Sequence, residues 1–356
     1  MERNFILTDV MKTGYHQRLD NFLDYHTLAG QEITHDHQYY TIANFPLDQY
    51  KRKLAIIDIC NASYGLFDMQ EFVDELDRRL KKLRNLGFII IIANPWESLT
   101  NILNPSIAPK LKQVIERYTT DSENLIWTGG SSWFWQMMHE RYRDKKFAVD
   151  HSIKKYDFFY LNKYPRSHRV QLFKRLEASH LLDNSLYSFL SEGKRLNPQY
   201  ELPWVDTNNY PPYGSDQDIY QLPYQHSAYN IVSETHDTGD TFITEKIWKP
   251  IIMQQIFVVH SKPYYLKTLR ELGFQTFGSV LDESYDEEQN ADKRIDKIVE
   301  LCKWLKDQDP VKMYEATEAV RKHNAEHFFK ESAVKSAVNA TVLGLLKFFD
   351  SSQISS

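Results

Sequence analysis

Apolar runs of strand length alternate with amphipathic stretches in the first half of the chain. Residues 54–60 and 88–93 are rich in Ile, Leu and Ala, a composition typical of strands buried in a parallel sheet. Between them, residues 69–86 carry an apolar side chain every three or four positions, which predicts an amphipathic helix. A helix at 107–118 and a strand at 124–127 continue the alternation. The pattern predicts a doubly wound α/β domain.

The second half of the chain repeats this alternation. Strands are predicted at 157–161, 229–232 and 256–259, with helices at 169–178 and from residue 244 onward. The remaining predicted elements are a helix at 264–272, a strand at 273–277, and helices at 291–305, 313–327 and 333–349. Residues 1–50 are only weakly periodic, and 197–224 is polar and predicts a long loop.

These elements group into three segments. Residues 1–155 are predicted to form an N-terminal α/β domain, and residues 156–330 a C-terminal α/β domain. Residues 331–356 are predicted to be a final helix and a polar tail. Two α/β domains of this size can each bury a core of their own.

The composition is that of a soluble globular protein. The chain has 356 residues, 42% of them hydrophobic, and a net charge of −5, so no overall basic field points to nucleic acid. Cys60 and Cys302 lie too far apart in sequence to form a two-cysteine metal motif, and we expect buried thiols. The N-terminus does not resemble a signal peptide, and no apolar run approaches about 20 residues. We expect a cytoplasmic protein without a membrane span.

The chemistry with the clearest sequence signal lies at Thr244, Glu245 and Lys246. Thr is a favoured N-cap, and a carboxylate in the first turn suits the helix dipole. Glu234 follows the preceding strand, so a helix start, a cation and two carboxylates are expected together. Such a combination suits a phosphate on one side and sugar hydroxyls on the other. The alternative is a plain capped helix with a surface lysine.

A second strand–loop–helix unit carries Arg166 and Arg169. Both lie at the predicted start of the helix at 169–178, after a polar turn. A guanidinium group binds phosphate oxygens through two parallel hydrogen bonds, so both are candidate diphosphate ligands. The alternative is that one or both pair with surface carboxylates.

Three loops follow the predicted strands of the N-terminal half and form the predicted rim of an active site. They are Asn61–Ser63, Asn94–Glu97 and Thr128–Ser131. Asp216 and Asp218 match the Asp-x-Asp of metal-dependent sugar transferases, although such a triplet is common by chance in an acidic loop. We therefore expect no metal and no separate cofactor.

The pattern of Glu234, a polar loop, Thr244-Glu-Lys-Ile and an apolar strand resembles the donor-binding domain of GDP-fucose-dependent fucosyltransferases. Similar stretches occur in uncharacterised glycosyltransferase-like proteins of large phages. The resemblance covers about residues 157–277. It implies the GT-B arrangement, in which two Rossmann-like domains face each other across a cleft. The acceptor would bind on the N-terminal side, and the nucleotide sugar, which is GDP-linked in that family, on the C-terminal side.

The resemblance also implies roles for individual residues. Glu245 would hold the ribose and Lys246 the diphosphate, while Glu234 would lie beside the donor sugar as a catalytic residue. Arg169 would be the second diphosphate cation, with Arg166 a further candidate.

The sequence departs from the family at the donor loop and at the expected base. Phe242 stands where the family has an aromatic residue that is usually Tyr, which keeps a stacking surface and loses a hydroxyl. Gly130 stands where the family has its presumed catalytic Glu. By position on the rim, Glu97 is the first alternative base, with Glu71 and Asp58 behind it.

The leading hypothesis is a metal-independent glycosyltransferase that moves a sugar from a nucleotide diphosphate to an acceptor hydroxyl, on a glycan or another molecule. One alternative is a phage-type transferase acting on modified DNA bases, for which basic runs at 78–84 and 141–146 could line a groove. The other is a nucleotide- or carbohydrate-binding protein without catalytic activity, suggested by Gly130.

Overall fold

The computed structural model describes twelve stretches of the chain. They are residues 4–10, 32–35, 52–58, 70–93, 110, 113–114, 117–118, 126–127, 130–162, 165–189, 217–239 and 241–346. The chain divides into two compact units, Met1–Trp133 with Lys335–Ser356, and Phe134–Val334. The sequence prediction put the boundary later, at 155/156, and treated 331–356 as a separate tail.

The first unit contains a parallel five-stranded sheet. Its strands are β1 (Asn4–Val10), β2 (Glu32–His35), β3 (Arg52–Asp58), β4 (Ile89–Ala93) and β5 (Ile126–Trp127), in the order β2-β1-β3-β4-β5. Helix α1 (Gln70–Asn85) buries four apolar side chains, at Val73, Leu76, Leu80 and Leu83. The predicted strand–helix–strand unit around residues 54–93 is therefore present. β1 and β2 lie in the segment whose weak periodicity predicted no element.

The second unit contains a parallel four-stranded sheet in the order β7-β6-β8-β9. Its strands are β6 (Tyr156–Asn162), β7 (Leu186–Phe189), β8 (Ser227–Ser233) and β9 (Ile256–His260). Every residue of β8 and β9 is buried, as expected for central strands covered on both faces. The α/β class with parallel sheets is confirmed. The GT-B arrangement of two domains across a cleft stays a prediction.

Nine helices accompany these strands in the described part of the chain after residue 129. They are α2 (Gly130–Tyr142), α3 (Ser167–Ala178), α4 (Gln221–His226), α5 (Glu245–Ile252), α6 (Tyr265–Glu271), α7 (Ala291–Lys306), α8 (Pro310–Ala316), α9 (Glu318–Phe329) and α10 (Glu331–Leu346). A short 3-10 helix spans Ser284–Glu287. No helix among the described residues is long and apolar enough to cross a membrane.

Two predicted elements differ from the structure. The strand expected at 273–277 is absent, because α6 ends at Glu271 and the chain then turns at Gly273, whose φ of 92° is accessible to glycine. The helix expected at 313–327 is divided into α8 and α9 at Thr317. The Thr317 hydroxyl donates 2.7 Å to the carbonyl of Met313, a local side-chain bond that competes with helix continuation.

An aromatic cluster holds α5 in the second unit. Trp135 of α2 stacks on Trp248 of α5 with ring centroids 5.7 Å apart, and both contact Phe274. Trp135 Nε1 also donates 3.1 Å to the carbonyl of Phe328 in α9. Because both tryptophans are fully buried, this packing sets the position of α5 from its apolar face.

Candidate functional site

The sequence-predicted residues of the second unit meet at the carboxyl edge of its sheet. From β6 the chain proceeds to β7 on one side, whereas β8 and β9 lie on the other. This reversal places a topological switch point between the ends of β6 and β8, where ligands bind in open α/β sheets. Asn162 ends β6 and Ser233 ends β8. Arg166 and Glu234 lie in the loops that follow these strand ends, and Lys246 lies in the first turn of the next helix, α5.

Glu234 is completely buried and holds the start of α5. One carboxylate oxygen accepts a 2.6 Å hydrogen bond from the Thr244 hydroxyl. The other accepts from the Thr244 amide at 3.1 Å and from the Tyr265 hydroxyl at 2.8 Å. Burial, followed by the Glu234 charge, raises the pKa of Tyr265 well above its usual range, so this phenol remains a donor. The geometry gives Glu234 the role of positioning the cap.

Thr244 caps α5 as the sequence predicts, and Lys246 lies over the cap. The Thr244 hydroxyl oxygen accepts from the Lys246 amide at 3.4 Å. Lys246 Nζ donates to Glu245 at 2.8 Å, to the Thr244 hydroxyl at 3.1 Å and to the Thr235 hydroxyl at 3.3 Å. With 26% of its side chain exposed, Lys246 is the cation of this helix start that solvent reaches.

Glu245 is an ionised carboxylate with little exposure. Only 9% of its side chain is exposed. Burial alone would raise the pKa of Glu245, but the charges of Lys246 and Lys249 outweigh it, and the net pKa is lowered. A carboxylate kept charged beside a helix start can accept hydrogen bonds from ligand hydroxyls.

The two arginines of the α3 start have different environments. Arg169 is 3% exposed, and its Nε and Nη2 donate to the Glu234 carbonyl at 3.2 and 3.0 Å. Burial, and then the nearby Arg166 charge, lowers the pKa of Arg169 to about 10, so it stays charged at neutral pH. Arg166 is half-buried, and its Nη1 donates to His236 Nδ1 at 3.4 Å. Arg166 is therefore the more accessible cation.

Two consecutive loop residues bring the accessible cations to one place. The Thr235 hydroxyl accepts from Lys246 Nζ, and the His236 ring accepts from Arg166. Lys246 and Arg166 belong to different strand–loop–helix units and are 80 residues apart in sequence, as their numbers show. Both cations therefore bond to the Thr235-His236 segment beside a helix start, and two cations held by one short segment suit a diphosphate.

A buried histidine network lies beneath the site and has no clear sequence signal. His260 Nδ1 lies 3.2 Å from the Ser233 hydroxyl, and its ring centroid is 5.4 Å from that of His168. His168 Nε2 donates 3.1 Å to the Glu234 carbonyl. Burial is the first cause that lowers both pKa values, that of His168 to about 4 and that of His260 well below its usual value. Both rings are neutral at pH 7.

Three further residues singled out in the sequence are Phe242, Gly130 and Glu97. Phe242 is 4% exposed. Its ring packs edge-on against Phe134 at 5.5 Å and is tilted against His236 at 5.7 Å, so it faces protein side chains. Gly130 is the first residue of α2. Glu97, the first candidate base, lies outside the described residues.

The acidic triplet is described only in part. Asp216 lies outside the described residues, and Asp218 forms an ion pair with Arg141. Within the described ranges, no group of three or more His, Cys, Asp or Glu side chains is arranged to bind a metal ion.

No family model and no curated protein matches this sequence. Solved structures that are weakly similar to the chain include the following two. One is the DNA-modifying enzyme beta-glucosyltransferase, with and without its substrate uridine diphosphoglucose, at 10% identity and a TM-score of 0.37, covering 97% of this chain and 98% of that one. The other is the glycosyltransferase SnogD from Streptomyces nogalater, at 11% identity and a TM-score of 0.29, covering 96% and 100%. The functional proposal rests on the site residues.

Proposed function

We propose that this protein is a glycosyltransferase that transfers a sugar from a nucleoside diphosphate to an acceptor hydroxyl. The observation that carries the proposal is the convergence of Lys246 and Arg166 on the Thr235-His236 loop beside the α5 start. The site lies at the switch point of a parallel sheet, where nucleotides bind in many α/β proteins. The GT-B arrangement and the donor role of the second unit are part of the same proposal.

The chemistry assigned to the site is stabilisation of the leaving group. As the acceptor oxygen bonds to the anomeric carbon, the bond from that carbon to the diphosphate oxygen breaks, and its electron pair stays on the diphosphate. The Lys246 ammonium, the Arg166 guanidinium and the positive end of the α5 dipole would stabilise this charge from fixed positions. The acceptor proton would pass to a carboxylate, for which Glu97 is the candidate.

The buried residues would keep these groups in place. Glu234 holds the Thr244 cap, and Arg169 holds the Glu234 backbone. Glu245 would accept from the ribose hydroxyls. Because side chains can supply the positive charge at the diphosphate, the proposal needs no metal ion.

The first experiment is a thermal-shift screen of the whole chain with GDP, UDP, ADP and inorganic pyrophosphate. A nucleotide at about 100 times its Kd stabilises the folded state by about 2.7 kcal/mol. GDP is the first probe because the Thr244-Glu-Lys motif resembles that of fucosyltransferases, and GDP-fucose is then the first donor for turnover. Lys246→Ala should abolish the shift, and an unchanged shift in this variant would refute the assignment of the site.

A second candidate function is nucleotide or carbohydrate binding without turnover. The observation in its favour is Gly130, which opens α2 where the fucosyltransferase family has its presumed base. Calorimetric binding of a nucleotide sugar, together with no transfer or hydrolysis across glycan and DNA acceptors, would favour this function over catalysis.

A further inference from the structure

Tyr264 presents an aromatic ring to solvent at the same edge of the sheet. It lies between β9 and α6 and is 47% exposed, whereas its neighbour Tyr265 is 1% exposed and bonds to Glu234. The two adjacent tyrosines therefore lie in different environments. Tyr265 is buried and supports the α5 cap, whereas Tyr264 lies at the surface. A large exposed aromatic side chain beside a ligand site is a candidate contact for that ligand.

The backbone holds this ring in a strained conformation. Tyr264 has a φ of 65° and a ψ of 21°, a left-handed geometry that a bulky residue adopts only at an energetic cost. Its amide donates 2.6 Å to the carbonyl of Asp286, and the Asp286 carboxylate accepts from the amides of Leu266 and Lys267 at 2.9 and 3.3 Å. The 3-10 helix therefore enforces the geometry, and enforced strain concentrates at ligand sites.

A short path of hydrogen bonds joins Tyr264 to the loop that leads into α5. The Thr268 hydroxyl lies 3.2 Å from the carbonyl oxygen of Tyr264 and 3.3 Å from the hydroxyl of Thr241. Thr241 precedes the Thr244 cap by three residues. Tyr264 is therefore connected, through Thr268, to the segment that leads into the Thr244 cap.

We propose that Tyr264 is the stacking platform for the nucleobase of the bound nucleotide, an inference that rests on the function proposed above. A nucleotide whose diphosphate contacts Lys246 and Arg166 extends its nucleoside away from them, and its planar base matches an exposed planar ring. Lys267 Nζ lies over the ring at 6.0 Å from its centroid, the outer limit of a cation–π contact, and its side chain is 64% exposed, so an incoming base can displace it.

Titration calorimetry of three proteins against three probes tests this assignment. The proteins are the wild type, Tyr264→Phe and Tyr264→Gly, and the probes are GDP, UDP and inorganic pyrophosphate. Glycine suits the left-handed backbone, so Tyr264→Gly should unfold at the wild-type temperature or above. It should bind the preferred nucleotide roughly 5- to 150-fold more weakly, the range expected for losing one base–aromatic stack. Tyr264→Phe should bind like the wild type, and all three should bind pyrophosphate equally.

Each other outcome overturns a specific part of the proposal. Equal nucleotide affinity of Tyr264→Gly and the wild type overturns the platform while leaving the proposed function intact. A parallel loss of pyrophosphate binding shows that Tyr264 supports the site structurally, which also overturns the platform. A wild type that binds neither nucleotide overturns both the platform and the proposed function. Because Asn also tolerates the left-handed region, Tyr264→Asn must reproduce the result for glycine.

Discussion

The Thr244 hydroxyl donates a 2.6 Å hydrogen bond to the Glu234 carboxylate and thereby orients its own oxygen towards Lys246. Since the proton points to Glu234, the lone pairs accept from the Lys246 amide at 3.4 Å and from Nζ at 3.1 Å. A buried charge thus sets the direction of the helix cap. The catalytic role expected for Glu234 is replaced in our proposal by this positioning role.

We expect Glu234→Gln to lower the free energy of unfolding by about 1–3 kcal/mol. The amide group would turn a donor towards Thr244 or Tyr265, and a buried donor without an acceptor costs about that amount. Urea unfolding followed by tryptophan fluorescence measures the change. Glu300→Gln is the matched control, because the Glu300 side chain is 69% exposed. Equal stability of the two variants would show that the Glu234 contacts contribute nothing.

Replacing Lys246 should affect turnover far more than stability. We expect Lys246→Ala to lower kcat with the preferred donor by about 10²–10³-fold, the loss typical of one pre-organised electrostatic contact. The free energy of unfolding should fall by only about 1–3 kcal/mol, from the loss of the Lys246 hydrogen bond to the nearly buried Glu245 carboxylate. Lys303→Ala, which removes an exposed lysine paired with Glu300, is the control. A kcat within about threefold of the wild type would contradict the proposed role.

Arg166, the N-cap of α3, and Arg169, in the first turn of α3, should give opposite results. Arg169→Ala removes two charged hydrogen bonds from the Glu234 carbonyl, so we expect a loss of about 2–4 kcal/mol in unfolding free energy. Arg166→Ala should leave stability nearly unchanged and weaken pyrophosphate binding. Chemical unfolding and calorimetry of both variants make the comparison. The reverse result, with Arg166 stabilising the fold and Arg169 binding the anion, would exchange the two roles.

Stability should fall as the pH drops below about 6.5. The pKa of His168 is lowered to about 4, so between these values the unfolded chain binds a proton that the folded chain does not. Unfolding is therefore favoured as the pH falls, by up to about 1.4 kcal/mol per pH unit for this group. The lowered pKa of His260 acts in the same direction.

Urea unfolding between pH 7 and pH 5 measures this dependence. His168→Gln should reduce the slope of the unfolding free energy against pH. His180→Gln should leave this slope unchanged, because the His180 side chain is 79% exposed. Parallel slopes for the wild type and His168→Gln would mean that His168 titrates normally.

Gly273 should tolerate no side chain while His327 is present. A Cβ at Gly273 would lie 2.6 Å from His327 Nε2, and the φ of 92° is unfavourable for alanine. We expect Gly273→Ala to cost about 2–3 kcal/mol, from overpacking and backbone strain together. A double-mutant cycle with His327→Ala should recover the overpacking part and leave the backbone part. If the changes in unfolding free energy of the two single variants are additive, the His327 ring moves aside at no cost.

Local patterns were sufficient to predict much of the second unit. The strands near 157–161, 229–232 and 256–259 are present because continuous apolar runs of that length bury well in a parallel sheet. The start of α5 was also predictable, because the Thr244 cap depends on atoms within two residues. By contrast, β1 and β2 were missed, since their pairing joins segments that are distant in sequence.

The sequence by itself determined the α/β class, the capped start of α5 and the set of charged residues near the candidate site. Only the tertiary structure decided which of those residues face a ligand. Arg169 and Glu234 are 65 residues apart and bury each other's polar groups, which leaves Lys246 and Arg166 as the accessible cations. The physical reason is that burial of a charge requires partners in space, and a one-dimensional pattern does not specify which distant residues provide them.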